Sequence, residues 1–300
     1  MNQTYLKFYN RYSQSIEKEA ICGEKFLRWT YESAIGQSVL EWIVKRGFFS
    51  FLMGMYMDLP FSKKAILPFV RRYQVNPDEF EIPVTAFKTF NEFFYRKLKP
   101  FSRPIHAIKN SIIFPSDGRH LGFPSISDAN HFFVKGKKFN VRELVGDEKL
   151  AKFFEKGTLI LSRLCPTDYH RFHFPCDGMP GPAQMINGPL YSVNPIAIQR
   201  NARIFLENKR MLTLLTSKTL GKIALIEVGA TCVGSMVQTF KPKRHVKKGD
   251  EKGYFRFGGS STILLFEPNK IQLTPDLISN TQNGLETYAH MGDIMGTSIG

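Results

Sequence analysis

Cysteine is scarce: four in 300 residues, Cys22, Cys165, Cys176 and Cys232, with no Cys-x-x-Cys among them. That spacing fits neither a disulfide framework nor a thiolate zinc site, so ordinary reduced thiols are expected. Long apolar runs are missing too, none reaching the ~18 residues that a membrane-spanning helix needs. The opening MNQTYLKFYNRYSQSIEKEA has no apolar stretch of a secretory signal, which leads to the expectation of a chain kept in the cytosol. Internal repeats and low-complexity tracts are absent. Acidic groups are few beside basic ones, 26 Asp+Glu against 41 Lys+Arg, a formal charge of +15. What remains is ample for a core: 43% of residues are hydrophobic and 22% charged, which excludes wholesale disorder. The length suits one large domain, or a main domain with a helical annex.

Such an excess of positive charge attracts polyanions, either nucleic acid or an anionic bilayer. Residues 1–259 hold 40 basic and 22 acidic groups and residues 260–300 hold 1 and 4, so the excess lies entirely before Ser260. No RNA-binding or helix-turn-helix motif is present, and the aromatics sit in apolar runs rather than as spaced stacking platforms. A membrane surface is therefore the expected partner, and nucleic acid is not.

Residues 1 to about 60 read as helical and amphipathic. VLEWIVKRGFFSFLMGMYMDLP (39–60) sets Trp42, Phe48, Phe51 and Tyr56 beside Lys45 and Arg46. Its uncharged centre is too short to cross a bilayer but long enough to lie along one. Residues 61–100 read as two more helices; NEFFYRKLKP (91–100) offers Phe93, Phe94 and Leu98 for packing beside a basic cluster of Arg96, Lys97 and Lys99. From about 105 short apolar runs alternate with Gly/Pro turns, which is strand chemistry. The expected fold is α+β: an N-terminal helical membrane-docking region, 1–104, then a β-rich catalytic domain, 105–300. The last stretch, from Ile278, is polar and Gly-rich and reads as a loose tail.

Three segments carry usable polar groups. FPSDGRHLG (114–122) holds Asp117 in a turn, where Asp-Gly is common without any function. RLCPTDYHRFHFP (163–175) holds His170 and His173; flanking prolines and aromatics favour an extended segment, in which positions i and i+3 face opposite ways and do different jobs. GYFRFGGSSTILLF (253–266) holds Gly258-Gly259-Ser260-Ser261. It reads as a hairpin turn, or as a site where Ser260 Oγ folds back on the Gly259 carbonyl without a Cβ in the way. A serine needs a base, and the base an orienting group; Asp117, His173 and Ser260 could fill those roles. From the residues alone, a zinc- or serine-dependent hydrolase on a β-rich fold also stands open.

Several blocks, in order, give the chain a resemblance to the phosphatidylserine decarboxylases, pyruvoyl-dependent enzymes that make phosphatidylethanolamine. They include KTFNEFFYRKLKPFSRPI (88–105), FPSDG (114–118), FVKGKKFNVRELVG (133–146), LCPTDYHRFHFP (164–175), GPLYSVNP (188–195), EVGATCVGSM (227–236) and KKGDEKGYFRFGGSS (247–261). The resemblance implies a proenzyme that breaks its own Gly259–Ser260 bond, giving a β chain, 1–259, and an α chain, 260–300, that stay together as a heterodimer; pairing of two such units is compatible with it. Ser260 would become the pyruvoyl cofactor, which forms a Schiff base with phosphatidylserine. The family's charge relay for self-cleavage falls on Asp117, His173 and Ser260, and the proton donor in decarboxylation on His170. No metal is implied. Ser261 stands where many relatives have threonine and Gly258 where many have leucine or valine, both compatible with cleavage. The implied location is the cytoplasmic side of a bacterial inner membrane, bound peripherally. Lys135, Lys137 and Lys138 read as an exposed basic hairpin, and the substrate-binding residues stay unassigned.

Overall fold

The computed structural model describes residues 7–19, 24–45, 47–131, 140–201, 203–231, 235–258 and 260–299. Gly259 and Lys135, Lys137 and Lys138 lie outside the described residues. Along the chain, β1 (Lys7–Asn10) and β2 (Ser15–Lys18) are followed by α1 (Glu24–Glu32), α2 (Ala34–Val39), α3 (Gly47–Asp58), α4 (Ile66–Arg72) and α5 (Phe90–Phe94). Then come β3 (Ser111–Ile113), β4 (Gly118–Phe123), α6 (Val141–Val145), α7 (Glu148–Ala151), β5 (Thr158–Leu164), β6 (Arg171–His173), β7 (Met179–Pro180) and β8 (Gln184–Ile186). Next are α8 (Pro195–Arg200), α9 (Ile204–Glu207), β9 (Arg210–Ser217), β10 (Gly221–Val228), β11 (Met236–Gln238) and β12 (Glu251–Phe255). The chain closes with β13 (Ser260–Phe266), β14 (Ile271–Leu273), α10 (Pro275–Gln282), β15 (Glu286–Ala289) and β16 (Ile294–Ser298). The α+β class and the β-rich character of the later chain agree with the sequence reading.

One large sheet runs β2-β1-β15-β4-β5-β13-β10-β9-β7, with β8 also on β9. TLILSRL, GKIALIEV and STILLF are near-continuous apolar runs because their strands are covered on both faces. Alternation then sends Leu159, Leu161, Ile263 and Leu265 into one core and Ile160, Leu264 and Phe266 into the other. β13 lies between β5 and β10, with Ser260 opposite Leu164 and Ser261 opposite Val228. A three-stranded sheet β11-β12-β6 brings up the segment before Ser260 and both histidines.

Two local readings are corrected. The first 60 residues open not with helix but with the β1–β2 hairpin. β1 pairs parallel with β15, and buried Phe8 meets Tyr288 edge-on at 5.8 Å. The gain is a completed sheet edge, which local periodicity does not register. The C-terminal stretch is not loose: α10, β15 and β16 bury Leu277, Ala289 and Met295, and the turn between β15 and β16 buries Met291.

The helices after the hairpin divide their work. Tyr31, Leu40 and Val44 join the core on one sheet face. α4, α5 and the turns between them enclose a third core of Ile66, Val70, Phe80, Phe87, Phe90, Phe93 and Phe94. α3 keeps Phe48, Phe51, Leu52, Met55 and Tyr56 exposed. No helix among the described residues is long and apolar enough to cross a membrane.

A buried charge cluster fastens the ends of the chain to the sheet. Arg163, on β5, donates through Nε and Nη2 to the Glu286 carboxylate, both at 2.6 Å, and through Nη2 to Glu19 Oε2 at 2.7 Å. Burial alone would raise the Glu19 carboxyl, but Arg163 and Arg119 outweigh it and hold the group down to about 2. Arg163→Met should strand the buried Glu286 carboxylate, leave Glu19 with only the more distant Arg119, and cost about 3–5 kcal/mol. Urea unfolding of the intact Ser260→Ala chain, with and without Arg163→Met, measures this. Adding Glu19→Gln and Glu286→Gln should restore much of the loss.

Candidate active site around Ser260

Ser260 is the first residue of β13 and is wholly buried. Two residues earlier Gly258 has φ +130°, a conformation side chains other than glycine's rarely tolerate. The Gly-rich approach therefore meets a backbone requirement, beyond being a loose turn. Ser260 Oγ lies 3.3 Å from His170 Nδ1.

His170 is set by the turn before it. Asp168 Oδ2 accepts from the Cys165 N–H at 2.7 Å and from Arg119 Nη1 at 2.6 Å, and the Asp168 N–H returns to the Cys165 carbonyl at 2.9 Å. That carbonyl also accepts from His170 Nε2 at 2.9 Å. A carbonyl oxygen can only accept, so the ring proton sits on Nε2 and the Nδ1 lone pair faces Ser260. Phe94 stacks on the imidazole at 3.8 Å and 20°. Burial, reinforced by the nearby Arg96 charge, pulls the His170 pKa down to about 3, so the ring is a neutral acceptor at physiological pH.

His173 and Asp117 occupy an adjoining position. The His173 N–H donates to the Pro115 carbonyl at 2.8 Å, which puts the ring beside the Asp117 loop. Its Nδ1 donates to the Gly249 carbonyl at 2.9 Å, leaving Nε2 as the acceptor, 3.3 Å from Tyr169 Oη. Burial lowers its pKa, so it too is neutral. Asp117 faces Arg103, whose Nε bridges both carboxylate oxygens at 2.9 Å and whose Nη2 reaches Oδ2 at 2.7 Å. The Met291 N–H adds a bond to Oδ1 at 2.9 Å. Burial would raise this carboxyl, but the Arg103 pair more than offsets it and keeps Asp117 ionised. Gly118 is required next to it, since a Cβ there would sit 2.5 Å from the Arg163 carbonyl oxygen.

The structure thus brings Ser260 and His170 into contact, and holds Asp117 and His173 near the same chain segment with other partners. The two imidazoles serve separate partner sets, as an extended segment implied. Sequence reading missed Arg103, which clamps Asp117, and took Arg96 for part of a surface basic cluster; Arg96 is in fact buried. Only the Asp-Gly turn and the NEFFYR block signalled these places, and neither says which arginine turns inward. Among the thiols, Cys165 is buried and donates to Glu19 Oε1, and burial pushes Cys176 up to about 12, which makes both unreactive.

Comparison with known proteins bears on this geometry. The family model described as phosphatidylserine decarboxylase matches residues 90–297. A phosphatidylserine decarboxylase proenzyme of Desulfitobacterium hafniense (strain Y51) is 44% identical over 291 residues, 97% of this chain and 98% of that one. That of Clostridium kluyveri is 45% identical over the same share of each. That of Chlamydia muridarum is 42% identical over 289 residues, 96% of both. Matches of this extent, reaching across Asp117, both histidines and Ser260, show that the chain belongs to the phosphatidylserine decarboxylase family.

Proposed function

We infer that this chain decarboxylates phosphatidylserine to phosphatidylethanolamine after converting its own Ser260 into a pyruvoyl group. The observation that carries the reading is the 3.3 Å contact between a buried serine at a Gly-Gly-Ser-Ser junction and a neutral imidazole. The surroundings fit such a group: position 260 is fully buried, and its side chain meets the His170 imidazole, on which Phe94 stacks. A pyruvoyl ketone supplies an electron sink for a primary amine that loses carbon dioxide. His170 Nδ1 would accept the proton that the incoming substrate ammonium must release, and return it to the carbon left by carbon dioxide. A neutral resting imidazole suits that sequence.

For self-cleavage the reading keeps the relay of Asp117, His173 and Ser260. Ser260 Oγ bonds to the Gly259 carbonyl carbon, the Gly259–Ser260 C–N bond breaks and the nitrogen takes a proton; loss of the Ser260 Cα proton then expels the Gly259 carboxylate, and water converts the dehydroalanine left at position 260 to the ketone with release of ammonia. The lone pair on His173 Nε2, held only by a long Tyr169 bond, supports it as the base, and Asp117 lies near enough to stabilise the cation formed. A second reading rests on the Ser260–His170 contact, with His170 performing both proton transfers. The segment 260–300 would then be the α chain and 1–259 the β chain. The exposed α3 residues, with Phe48 70% and Phe51 61% exposed, support peripheral seating on an anionic bilayer, on the cytoplasmic side of a bacterial inner membrane.

Intact-mass measurement of freshly purified protein should give 1–259 and 260–300, the latter one ammonia lighter than simple hydrolysis would leave it, while Ser260→Ala stays whole. A single full-length mass that persists with anionic lipid would sink the reading. His173→Ala should stay whole, and His170→Ala should cleave yet decarboxylate at least ~100-fold slower; the reverse cleavage pattern would favour the second reading. Because the His170 pKa lies near 3, activity at pH 5 should stay close to its neutral value, where an ordinary histidine near 6.5 would cost about 30-fold. Phe48→Glu with Phe51→Glu should abolish co-flotation with phosphatidylglycerol vesicles at low salt. Undiminished flotation would remove α3 from membrane contact.

A further inference from the structure

Two residues beyond α5 lies an arginine whose surroundings differ from those of its buried neighbours. Arg103, Arg119, Arg163 and Arg171 are buried and each holds a carboxylate. Arg96 is 4% exposed and makes no ion pair with any described residue. Its Nη2 donates to the carbonyls of Thr167 at 3.0 Å and Asp168 at 3.2 Å, and its Nη1 reaches the Phe93 carbonyl at 3.4 Å. Its Nε is buried without a partner. The guanidinium lies against the rings of Phe80 and Phe93, at 5.0 and 5.1 Å. A buried cation without an acid is costly, and folds keep one where it does work.

Its position indicates the work. Thr167 and Asp168 are the carbonyls just ahead of Tyr169 and His170, so the guanidinium fork braces the turn that aims the imidazole. Phe94, from the same short segment, stacks on that imidazole. The segment thus grips His170 by its ring and by the backbone leading to it. We propose that Arg96 is a positioning residue for proton transfer at His170: its fork fixes the turn, and its unneutralised charge keeps Nδ1 free to accept a proton. This rests on the reading that His170 exchanges a proton with the substrate.

The other charged groups around His170 do not duplicate that effect. Asp117, from the loop before β4, opposes it and is itself tied to Arg103. Asp168, on the same turn, is bound by Arg119, and Arg171, next along β6, is paired with Glu251 of β12. Removing the Arg96 charge therefore makes protonation of His170 easier, and the pH below which activity falls must rise.

The test uses self-processed enzyme and phosphatidylserine in mixed micelles, with kcat and kcat/KM followed from pH 2.5 to 8, a window that reaches below the acid limb expected for His170. Arg96→Met should move the acid limb up by about one unit or more. Arg96→Lys keeps the charge but loses the planar set of donors in which Nη2 holds Thr167 and Asp168 while Nη1 reaches Phe93, so its acid limb should stay at the wild-type position while kcat falls about tenfold. Arg96→Met with the wild-type profile and rate overturns the proposal. Equal losses in both variants with unmoved profiles also overturn it, since Arg96 would then only support the fold. Should Arg96→Met fail to process itself, Arg96→Lys decides: wild-type kcat refutes, and a lowered kcat with an unmoved limb supports. His170→Ala at wild-type kcat would instead refute the reading beneath the proposal, whatever Arg96 does.

Discussion

One hydrogen bond, from His170 Nε2 to the Cys165 carbonyl, decides which face of the imidazole meets Ser260. Without it the tautomer would be open and the Nδ1 lone pair would not be committed to the serine side. The bond in turn depends on the shape of the Cys165–Asp168 turn, which Asp168 closes by capping the Cys165 N–H. Arg119 binds Asp168 and also approaches Glu19, and Glu19 meets Arg163, which grips Glu286. The orientation of one ring is thereby connected through buried ion pairs to the N-terminal hairpin region and to a strand near the C-terminus. Buried pairs of this kind lose heavily when one partner is removed, which makes them better at fixing one arrangement than at adding stability.

The parts of this arrangement that were readable from sequence are those carried by short contiguous blocks. Gly258, Ser260, His170, His173 and Asp117 each sit in a local pattern whose chemistry can be stated from residue types alone. The strands beyond residue 105 announce themselves because central strands buried on both faces are apolar throughout. What escaped notice depends on contacts between distant residues. The β1–β2 hairpin forms because β15, nearly 280 residues later, offers it a ladder. Arg96 and Lys97 are indistinguishable in a basic run, yet burial takes only the first inward, to carbonyls more than 70 positions away. The C-terminal stretch looked loose because it is polar and Gly-rich, yet Thr287, Ala289, Met291 and Met295 turn in and Glu286 is buried against Arg163.

A second consequence concerns α3, whose apolar side chains lie exposed at the surface. Asn91 of α5 is fully buried; its Nδ2 donates to Gly54 O at 3.2 Å and Asp58 Oδ1 at 2.9 Å, both on α3. Its Oδ1 accepts from the Phe257 N–H at 2.8 Å, three residues before Ser260. Arg256 pairs with Asp58 from the same side. The exposed helix is therefore fastened at two points to the strand-end that delivers Ser260. Whatever orients α3 also orients the approach to the reaction centre, through an amide that spends both N–H donors on α3 and accepts from the segment before Ser260.

Strand topology explains how a chain could be cut before Ser260 and remain one body. On the upstream side, β12 is held by β6 and β11; on the downstream side, β13 is held by β5 and β10 over its whole length. Neither strand relies on the Gly259–Ser260 junction for its ladder. The segment 260–300 contributes β13 and β15 to the interior of the large sheet, and Ile263, Leu264, Leu265 and Phe266 to both cores. Its removal would open two sheet positions and both cores at once. A covalent break at this point gives freedom to a new chain end while hydrophobic burial and the Arg163–Glu286 pair keep the two pieces docked. A new end made there would lie where β13 begins, beside His170, with a strand paired on both edges on one side and a neutral proton acceptor on the other.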